Sequence, residues 1–411
     1  MKQVVITGRG AISPLGDAEQ TALGVVDGRV AYGQLEDEVL ARLDRAGDPA
    51  SLRARTAGRV DYDPRKAFAG RNFRPVDRTG QLAILAAEGA LAALDGGATA
   101  EQRRGDFVGL VLGTMFGSVH TISAFDRRGL EAGPKYVKPL DFANSVINAA
   151  AGQAAIWLGL TGTNSTVTGG AAAGVLALAQ ATQLIRDGRA HALLAGGAEE
   201  ISFEALIGFE QAGRLSASGR ARPFDRDRDG TVLSEGAALV LMEDAESAAA
   251  RSATPLARIA GYGTAFDTSR GRDPERGGAI LARTIGLALD AAGLEPGEID
   301  AVFTGARGGA ADAVEGRAVA SVFGRSAPVT AVASSLGCCL GASGAFQAQG
   351  LLHAFESGRL PAIVGLEHPD GSWPTLDLCL EPRRVDCRRG LLTATSGDGV
   401  VVALVLERAE A

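Results

Sequence analysis

A glycine-rich turn at residues 168–174 leads into an apolar helix pattern, and this arrangement suits nucleophilic chemistry. Backbone N–H groups and the helix dipole stabilise an anion at a helix N-terminus, including a cysteine thiolate. Ala171 lies in this turn and has no atom that can attack a thioester. The helix is predicted to end at Gly188, and a strand-like run follows at 191–199.

Cys338 is the candidate for a nucleophile that lies outside the turn at residues 168–174. It lies in the short turn Gly-Cys-Cys-Leu-Gly at residues 337–341, and no histidine lies near it in sequence to act as its base. A free cysteine is more commonly a small buried apolar residue. Both interpretations stay open, and burial is the commoner one.

The acidic run at residues 225–230 is similar to the start of a calcium-binding loop. Such a loop requires a glutamate at its twelfth position, which is Gly236 here, with Glu235 one residue early. Interleaved arginines also offset the negative charge, so a structural turn is the favoured interpretation. No metal site is predicted elsewhere, because the histidines are scattered: His120, His191, His353 and His368.

Composition limits the functional classes. The chain has 411 residues, of which 46% are hydrophobic, enough for a large buried core. Its net charge of −7 argues against a nucleic-acid partner. No apolar run is long enough to predict a membrane span, and the N-terminus enters a strand pattern at once. Its four cysteines form no disulfide framework. We expect a reduced, cytoplasmic protein with no cofactor.

Strand-like and helical patterns alternate, which is typical of an α/β fold built from βαβ units. The stretch 245–255 is the best boundary, so we predict two halves, 1–250 and 251–411. Each half has a glycine-rich turn before a central helix, at 169–170 and 341–344. In the second half, 362–366 is among the predicted strands.

Several sequence blocks resemble β-ketoacyl synthases, the condensing enzymes of fatty-acid and polyketide synthesis. They occur in the family's order and cover nearly the whole chain: residues 4–16, 147–165, 168–199 and 222–237. The resemblance implies a thiolase-like α/β fold with two similar halves stacked as α-β-α-β-α layers. It also implies a dimer interface through the strand formed by Ser165, Thr166, Val167 and Thr168.

The resembled family uses a cysteine to accept the acyl chain and two histidines to promote decarboxylation of malonyl-carrier protein. Matched through the flanking motifs, the cysteine falls on Ala171 and the histidines fall on Thr304 and Cys338. A lysine of the second histidine motif falls on Ala333, and the glycine-rich gate near the C-terminus falls on 392–396. These positions are vestigial by this comparison. We therefore expect the chain not to be an enzyme by itself.

This combination resembles chain-length factors, the ketosynthase β subunits of type II polyketide synthases. The resemblance implies a catalytic ketosynthase α subunit as partner in a heterodimer, and an acyl carrier protein with a phosphopantetheine-bound acyl chain. No nucleic-acid or membrane partner is expected. Many chain-length factors of aromatic polyketide pathways carry glutamine at the position of Ala171. The alanine in this chain leaves open a role in a pathway that makes reduced polyene chains.

The resemblance also implies which residues line the acyl tunnel. Phe116, Val119, Ile122 and Asp126 are spaced by three, three and four residues, as on one helix face. Phe142 is expected to reach across the dimer interface. Ordinary core packing of that face explains the same spacing nearly as well.

Two rival hypotheses remain from the sequence. One is a diverged thiolase-like acyltransferase that uses Cys338, and the other is an independent, homodimeric acyl-binding protein. Short basic clusters at Arg127–Arg128 and Arg388–Arg389 could receive an acidic carrier protein, although solvated surface charge is the commoner explanation.

Overall fold

The computed structural model describes residues 2–36, 55–94 and 108–410. Their strands follow one another along the chain with these bounds: β1 Val4–Ser13, β2 Gly16–Asp17, β3 Gly33–Gln34, β4 Thr56–Gly58, β5 Gly109–Thr114, β6 Asn164–Thr168, β7 Ala192–Glu199, β8 Leu233–Ser234, β9 Gly236–Asp244, β10 Ala257–Phe266, β11 Ala301–Phe303, β12 Pro328–Thr330, β13 Arg359–Leu360, β14 Asp377–Leu378, β15 Arg383–Arg384, β16 Arg389–Thr395 and β17 Val400–Arg408.

The helices of the described residues have these bounds: α1 Ala18–Val26, α2 Pro64–Ala67, α3 Arg78–Leu91, α4 Val119–Ala132, α5 Pro139–Ala143, α6 Ala149–Leu158, α7 Ala173–Arg186, α8 Phe203–Gln211, α9 Ala245–Ala250, α10 Pro274–Ala292, α11 Ala311–Phe323, α12 Ala333–Leu336 and α13 Ser343–Ser357. Within the described ranges, no helix combines the length and the apolar character needed to span a bilayer.

The main sheet shows the duplication directly. Its strand order is β14-β12-β11-β16-β17-β10-β1-β9-β7-β5-β6. The series β6-β5-β7-β9-β1 and the series β12-β11-β16-β17-β10 have the same sequence of parallel and antiparallel pairings. The two series join where β1 pairs antiparallel with β10, with Val5 opposite Arg258. The predicted pseudo-duplicated halves are therefore confirmed.

Helices α7 and α13 form the central layer of the fold. They contact each other and strands of both halves. Glycines permit this close approach: a Cβ at Gly174 would lie 2.7 Å from the Ala345 nitrogen, and a Cβ at Gly344 would lie 2.9 Å from the Val175 nitrogen. Helices α3 and α6 cover the other face of the first half, and α10 and α11 cover that of the second. The predicted α-β-α-β-α layers are confirmed.

Several elements differ from the sequence prediction, among them two strands of the second half. Residues 362–366 form no strand, because the buried Ile363 and Leu366 belong to an irregular segment in which Gly365 has a φ of +78°. Strand β16 was missed, although it pairs with both β11 and β17. The division at residue 250 falls at the end of α9 and stays a prediction, since the sheet continues across it.

Candidate functional site

A cavity of about 720 Å³ opens where the turn before α7 meets the second half of the chain. Ala171, Cys338 and Ser396 all line it. The wall is rich in positive charge, with five arginines and two aspartates in the lining: Arg214, Arg228, Arg270, Arg272, Arg307, Asp229 and Asp267. The predicted nucleophile turn therefore faces a cavity that is large enough for an extended ligand.

The turn at Ala171 keeps the backbone geometry of a helix entry. Gly170 has a φ of +52°, and a Cβ at this position would overlap the Ser396 hydroxyl. The N–H of Ala172 donates to the Gly169 carbonyl at 3.0 Å, and α7 begins one residue later. Ala171 is 8% exposed and presents only a methyl group to the cavity.

A second, much smaller cavity of about 10 Å³ adjoins the first. Ala171 and Arg307 line both cavities, while Ala333 and Gln347 line only the small one. The side-chain oxygen of Gln347 is buried and has no hydrogen-bond partner within the described residues. The volume is of the order that a single water occupies.

The four vestigial positions are not all brought together. Ala171 and Cys338 line the large cavity, and Ala333 lines the small one. Thr304 lines neither: its side chain is buried, and its hydroxyl donates to the Thr330 carbonyl at 3.2 Å. This bond ties Thr304 into the pairing of β11 with β12.

Cys338 combines burial with access to the cavity. Its residue is 1% exposed, and it packs in an apolar cluster with Leu206 and Leu340. Its sulfur lies 3.8 Å from the Ser343 hydroxyl oxygen. The neighbouring Cys339 lines only the small cavity, and burial raises the pKa of its thiol. Of the two thiols, Cys338 is therefore the one placed to meet a ligand in the large cavity.

The Glu199 carboxylate organises the segment that precedes α4. It accepts backbone N–H bonds at 2.5 to 3.1 Å from Met115, Phe116, Gly117 and Gly341, and a hydroxyl bond from Thr114 at 3.0 Å. Burial raises the pKa of Glu199 to about 7, against the opposing effect of these donors. The carboxylate thus links the end of β7 to both the α4 segment and the second half.

The predicted tunnel residues lie on and beside α4. The helix begins at Val119, so Phe116 precedes it rather than sharing its face. Val119 and Ile122 are half-buried, and none of the α4 residues is fully buried. The lining of the large cavity does not include any of the predicted tunnel residues: Phe116, Val119, Ile122, Asp126 or Phe142. Their tunnel role stays a prediction.

Strand β6, which contains Ser165–Thr168, is the outermost strand of the main sheet. Among the described strands it pairs only with β5, and α6 packs beside it. Apolar side chains are exposed on α6 and on the segments that precede it in the chain: Leu130, Leu140, Phe142, Val146, Ile147 and Ile156. Phe142 is 65% exposed, and its ring centroid lies 5.9 Å from that of Phe125. Unpaired sheet edges and contiguous apolar surface are typical of protein interfaces.

The acidic turn at residues 225–230 has a histidine beside it that the sequence did not predict. His368 lies beside it, with its Nδ1 atom 3.4 Å from an Asp227 oxygen. The Asp225 carboxylate is occupied by three backbone N–H groups, those of Asp227, Glu367 and His368, at 2.7 to 2.8 Å. These bonds agree with a structural turn that joins two distant segments.

The basic clusters have different surroundings. Arg388 pairs with Asp386 at 2.9 Å, and Arg389 pairs with Glu407 and Glu298 at 3.2 and 2.8 Å. Arg128 donates to the Tyr136 carbonyl at 2.6 Å. Because their charges are compensated, Arg388 and Arg389 are poor candidates for docking an acidic partner.

Sequence reasoning missed the arginines of the cavity. Arg214, Arg270 and Arg307 come from three separate loops, so no local pattern groups them. Of these arginines, only Arg307 could have been noticed in the sequence, because it lies in the segment matched to the first histidine motif.

Sequence models of two domains match most of the chain. The β-ketoacyl synthase N-terminal domain matches residues 1–248, and the β-ketoacyl synthase C-terminal domain matches residues 256–367. The chain belongs to the β-ketoacyl synthase family. The resemblance drawn from the sequence blocks is thereby confirmed.

Particular relatives cover nearly the full length. The chain is 32% identical to 3-oxoacyl-[acyl-carrier-protein] synthase 2 of Synechocystis sp., over 93% of this chain and 91% of the relative. It is 29% identical to the protein of the same name from Staphylococcus aureus strain COL, over 100% and 99%. A solved structure, the ishigamide ketosynthase/chain length factor, is similar with a TM-score of 0.89 and 29% identity, over 100% of both chains.

These relatives correct one expectation. The prediction that the chain is not an enzyme by itself is wrong on this comparison, since relatives over its whole length carry the name of a synthase. That expectation rested on the side chains lost at four positions: Ala171, Thr304, Ala333 and Cys338. The fold instead keeps a cavity of about 720 Å³ at the same turn, with the Cys338 thiol in its wall.

Proposed function

We propose that this chain is the chain-length-factor subunit of a heterodimeric type II polyketide ketosynthase. The heterodimer elongates an acyl chain with malonyl units that an acyl carrier protein delivers, in a pathway that can lead to reduced polyene chains. This chain contributes part of the acyl tunnel and limits its length. Its four buried, unpaired cysteines suit a reducing compartment such as the cytoplasm.

The observation that carries the proposal is the free edge of β6. Its backbone groups on one side have no strand partner among the described residues, and Ile156 on the adjacent helix α6 is exposed. Leu130 is 87% exposed and Ile156 is 78% exposed, which is costly for large apolar side chains in water. A partner of the same fold could cover this surface by pairing its own edge strand with β6.

The similarity to a ketosynthase/chain length factor over the full length supports the choice of partner. The position of α4 supports the length-limiting role. This helix is held at its start through Glu199 and through Asp77, whose carboxylate accepts a hydrogen bond from the Ser118 hydroxyl. Its half-buried face is thus fixed in place while it stays open to a partner.

The test is co-expression with a ketosynthase from the same source that keeps its cysteine and both histidines. We expect a stable 1:1 complex that elongates malonyl units. Phe142→Asp and Val146→Asp should weaken copurification at least about tenfold, since a buried charge at an apolar interface is unfavourable. The matched control is Leu380→Asp, which changes an exposed leucine far from β6 in the chain.

Two results would overturn the proposal. One is normal chain elongation by the ketosynthase without this chain and without copurification. The other is a stable homodimer of this chain that excludes the ketosynthase, as expected for an independent acyl-binding protein.

A second candidate function is acyl transfer through Cys338, favoured by its place in the wall of the cavity that Ala171 also lines. The thiolate would attack a thioester carbonyl, and the new thioester would form as the carrier thiol leaves with a proton. A thiol-reactive fatty-acyl mimic, followed by peptide mass mapping, tests it. Stoichiometric labelling of Cys338 that Cys338→Ser abolishes would favour this activity over the first candidate.

A further inference from the structure

The hairpin formed by α4 and α5, residues 119–143, stands apart from the core. None of its residues is buried, and its contacts are mainly internal: α4 packs on α5 and on the turn at 134–136, and the Phe125 ring packs on Phe142. Outside the hairpin, α4 packs mainly against α8. A helix without buried side chains gains little from apolar packing, so polar contacts have a large share in holding it in place.

One side-chain pair connects α4 to α8. The Nδ1 atom of His120 lies 3.4 Å from the Oε2 atom of Glu204, and the two side chains are 27% and 22% exposed. Ser123, one turn further along α4, also forms a hydrogen bond to Glu204. Within the described residues, no other side-chain hydrogen bond or ion pair joins the hairpin to another helix or strand.

Glu204 is the acceptor in this pair. Burial alone would raise its pKa, but the hydrogen bonds from His120 and Ser123 outweigh burial and hold the pKa below its usual value. An ionised carboxylate can only accept a hydrogen bond, so the Nδ1 atom of His120 must carry the proton. Glu204 also lies in the first turn of α8, where the helix dipole favours a negative charge.

The pair lies between the face of α4 that the proposed tunnel uses and the wall of the large cavity. Successive residues are about 100° apart around a helix, so the face with His120 and Ser123 borders the face with Val119. On the other side of the pair, α8 reaches the large cavity, whose lining includes Phe209. A shift of α4 relative to α8 would therefore move the half-buried residues of the proposed tunnel.

We propose that the hydrogen bond between His120 and Glu204 holds α4 at a fixed distance from α8, and that both are positioning residues for the chain-length limit. The inference rests on the proposed function, since the length limit itself does. It adds a second determinant to the bulk of the tunnel side chains, namely the distance between two helices. Loss of the bond lets α4 move away from α8, which widens the space that an acyl chain can fill.

The first measurement is amide hydrogen exchange of α4 in the purified chain alone, with α10 as the internal reference because it packs in a separate apolar cluster. We expect His120→Ala to speed exchange in α4 by about twofold to tenfold, the range for the net loss of one hydrogen bond. His120→Asn should keep the wild-type rate, since its amide N–H can take the place of the Nδ1 donor. Glu204→Ala should match His120→Ala, and the double variant should exchange no faster than either single variant.

The second measurement is the product length made by the complex with the ketosynthase. His120→Ala should raise the share of chains longer than the main wild-type product at least about twofold, and His120→Asn should not raise it. His191→Ala is the matched control and should leave product length unchanged. His191 also lies beside a carboxylate, 3.9 Å from Asp244, but it stands at the end of β7 opposite Glu199.

Three results would overturn the inference. Wild-type exchange rates in α4 of His120→Ala would show that the hydrogen bond does not hold the helix. Equal effects of His120→Ala and His120→Asn would assign the role to the bulk of the imidazole ring and not to the bond. Faster exchange with unchanged product lengths in an intact complex would separate the bond from the length limit.

The inference and the proposed function fail in different ways. If the wild-type chain never pairs with the ketosynthase, the proposed function is wrong and the length role is wrong with it. The exchange rates of the chain alone still decide whether His120 and Glu204 hold α4. If the complex forms and the variants behave like the wild type, the inference alone is wrong.

Discussion

The Glu199 carboxylate accepts a hydrogen bond from the backbone N–H of Gly341 at 3.1 Å, and this bond joins the two halves of the chain at the cavity. A Cβ at Gly341 would lie 2.5 Å from the Thr114 Cα atom, so only glycine permits the approach. The same carboxylate holds the backbone of Met115 and Phe116. One buried side chain therefore sets the position of the α4 segment relative to the second half.

Glu199→Gln should destabilise the protein by about 2 to 4 kcal/mol. An amide has one acceptor oxygen, so its NH2 group would face backbone donors that are then buried without partners. The measurement is the free energy of unfolding in urea. Glu381→Gln is the control, since Glu381 is exposed and forms no hydrogen bond within the described residues. Equal stability of the two variants would contradict the role given to Glu199.

The stability of the protein should depend on pH through Glu315. Its carboxylate is buried and accepts bonds from the Thr393 and Thr395 hydroxyls at 2.6 and 3.3 Å. Burial raises its pKa from 4.5 to about 7. Between these values the folded state keeps a proton that the unfolded state has lost. The free energy of unfolding therefore falls as pH rises from about 4.5 to about 7.

Glu315→Gln should remove this contribution, which amounts to about 3 kcal/mol over that range. The glutamine oxygen can accept from one threonine hydroxyl, and its NH2 group can donate to the oxygen of the other, so the folded state should be retained. Urea unfolding between pH 4.5 and 8 measures the slope for both proteins. Glu199 titrates in the same range and should leave a residual slope. A variant with the full wild-type slope would show that Glu315 is ionised throughout.

Much of the fold was predictable because the evidence for it is local. The glycine-rich turns at 169–170 and 341–344 lead into the central helices α7 and α13, as the sequence predicts. Strand β16 was missed because its identity depends on pairing with β11 and β17, which no local pattern reveals. The error at 362–366 arose because buried apolar residues were taken to indicate a strand.

The site was predictable only in part. Motif matching named Ala171 and Cys338, and the structure brings both to the wall of one cavity, while their assignment as vestigial positions stays a prediction. Motif matching could not show that the Thr304 side chain lies outside both cavities. Its position depends on the hydrogen bond to the Thr330 carbonyl on the neighbouring strand. The arginines of the wall come from loops that are distant in sequence, so only the folded chain brings Arg307 and Arg214 together.

Ala171→Cys tests whether the turn still favours an anion. The introduced thiol would stand at the N-terminal end of α7, where N–H groups and the helix dipole stabilise a thiolate. We expect its alkylation rate by iodoacetamide to reach half-maximum at least about one pH unit below that of a control thiol. The control is Ala250→Cys, at the C-terminal end of α9. The pH midpoint does not depend on reagent access, so equal midpoints would contradict the prediction.

Substitutions on α4 test the proposed length limit within the ketosynthase complex. Val119 and Ile122 lie three residues apart on one helix face and are half-buried. Replacing a small side chain with a larger one shortens the space that a chain can fill. Val119→Phe should therefore shift the main product to chains shorter by about one or two malonyl units, and Ile122→Ala should lengthen them by a similar amount.

Mass spectrometry of the released products measures the shift. Glu131→Ala is the matched control, because Glu131 lies on the same helix but is exposed, and its product lengths should equal those of the wild type. Copurification of each variant with the ketosynthase shows that the complex is intact. If the two residues only packed in the core, the substitutions would lower the yield without changing the product length. Shifts of product length in opposite directions therefore indicate that α4 limits the chain. Unchanged lengths with an intact complex would place the limit on another element, and α4 would then serve only the interface.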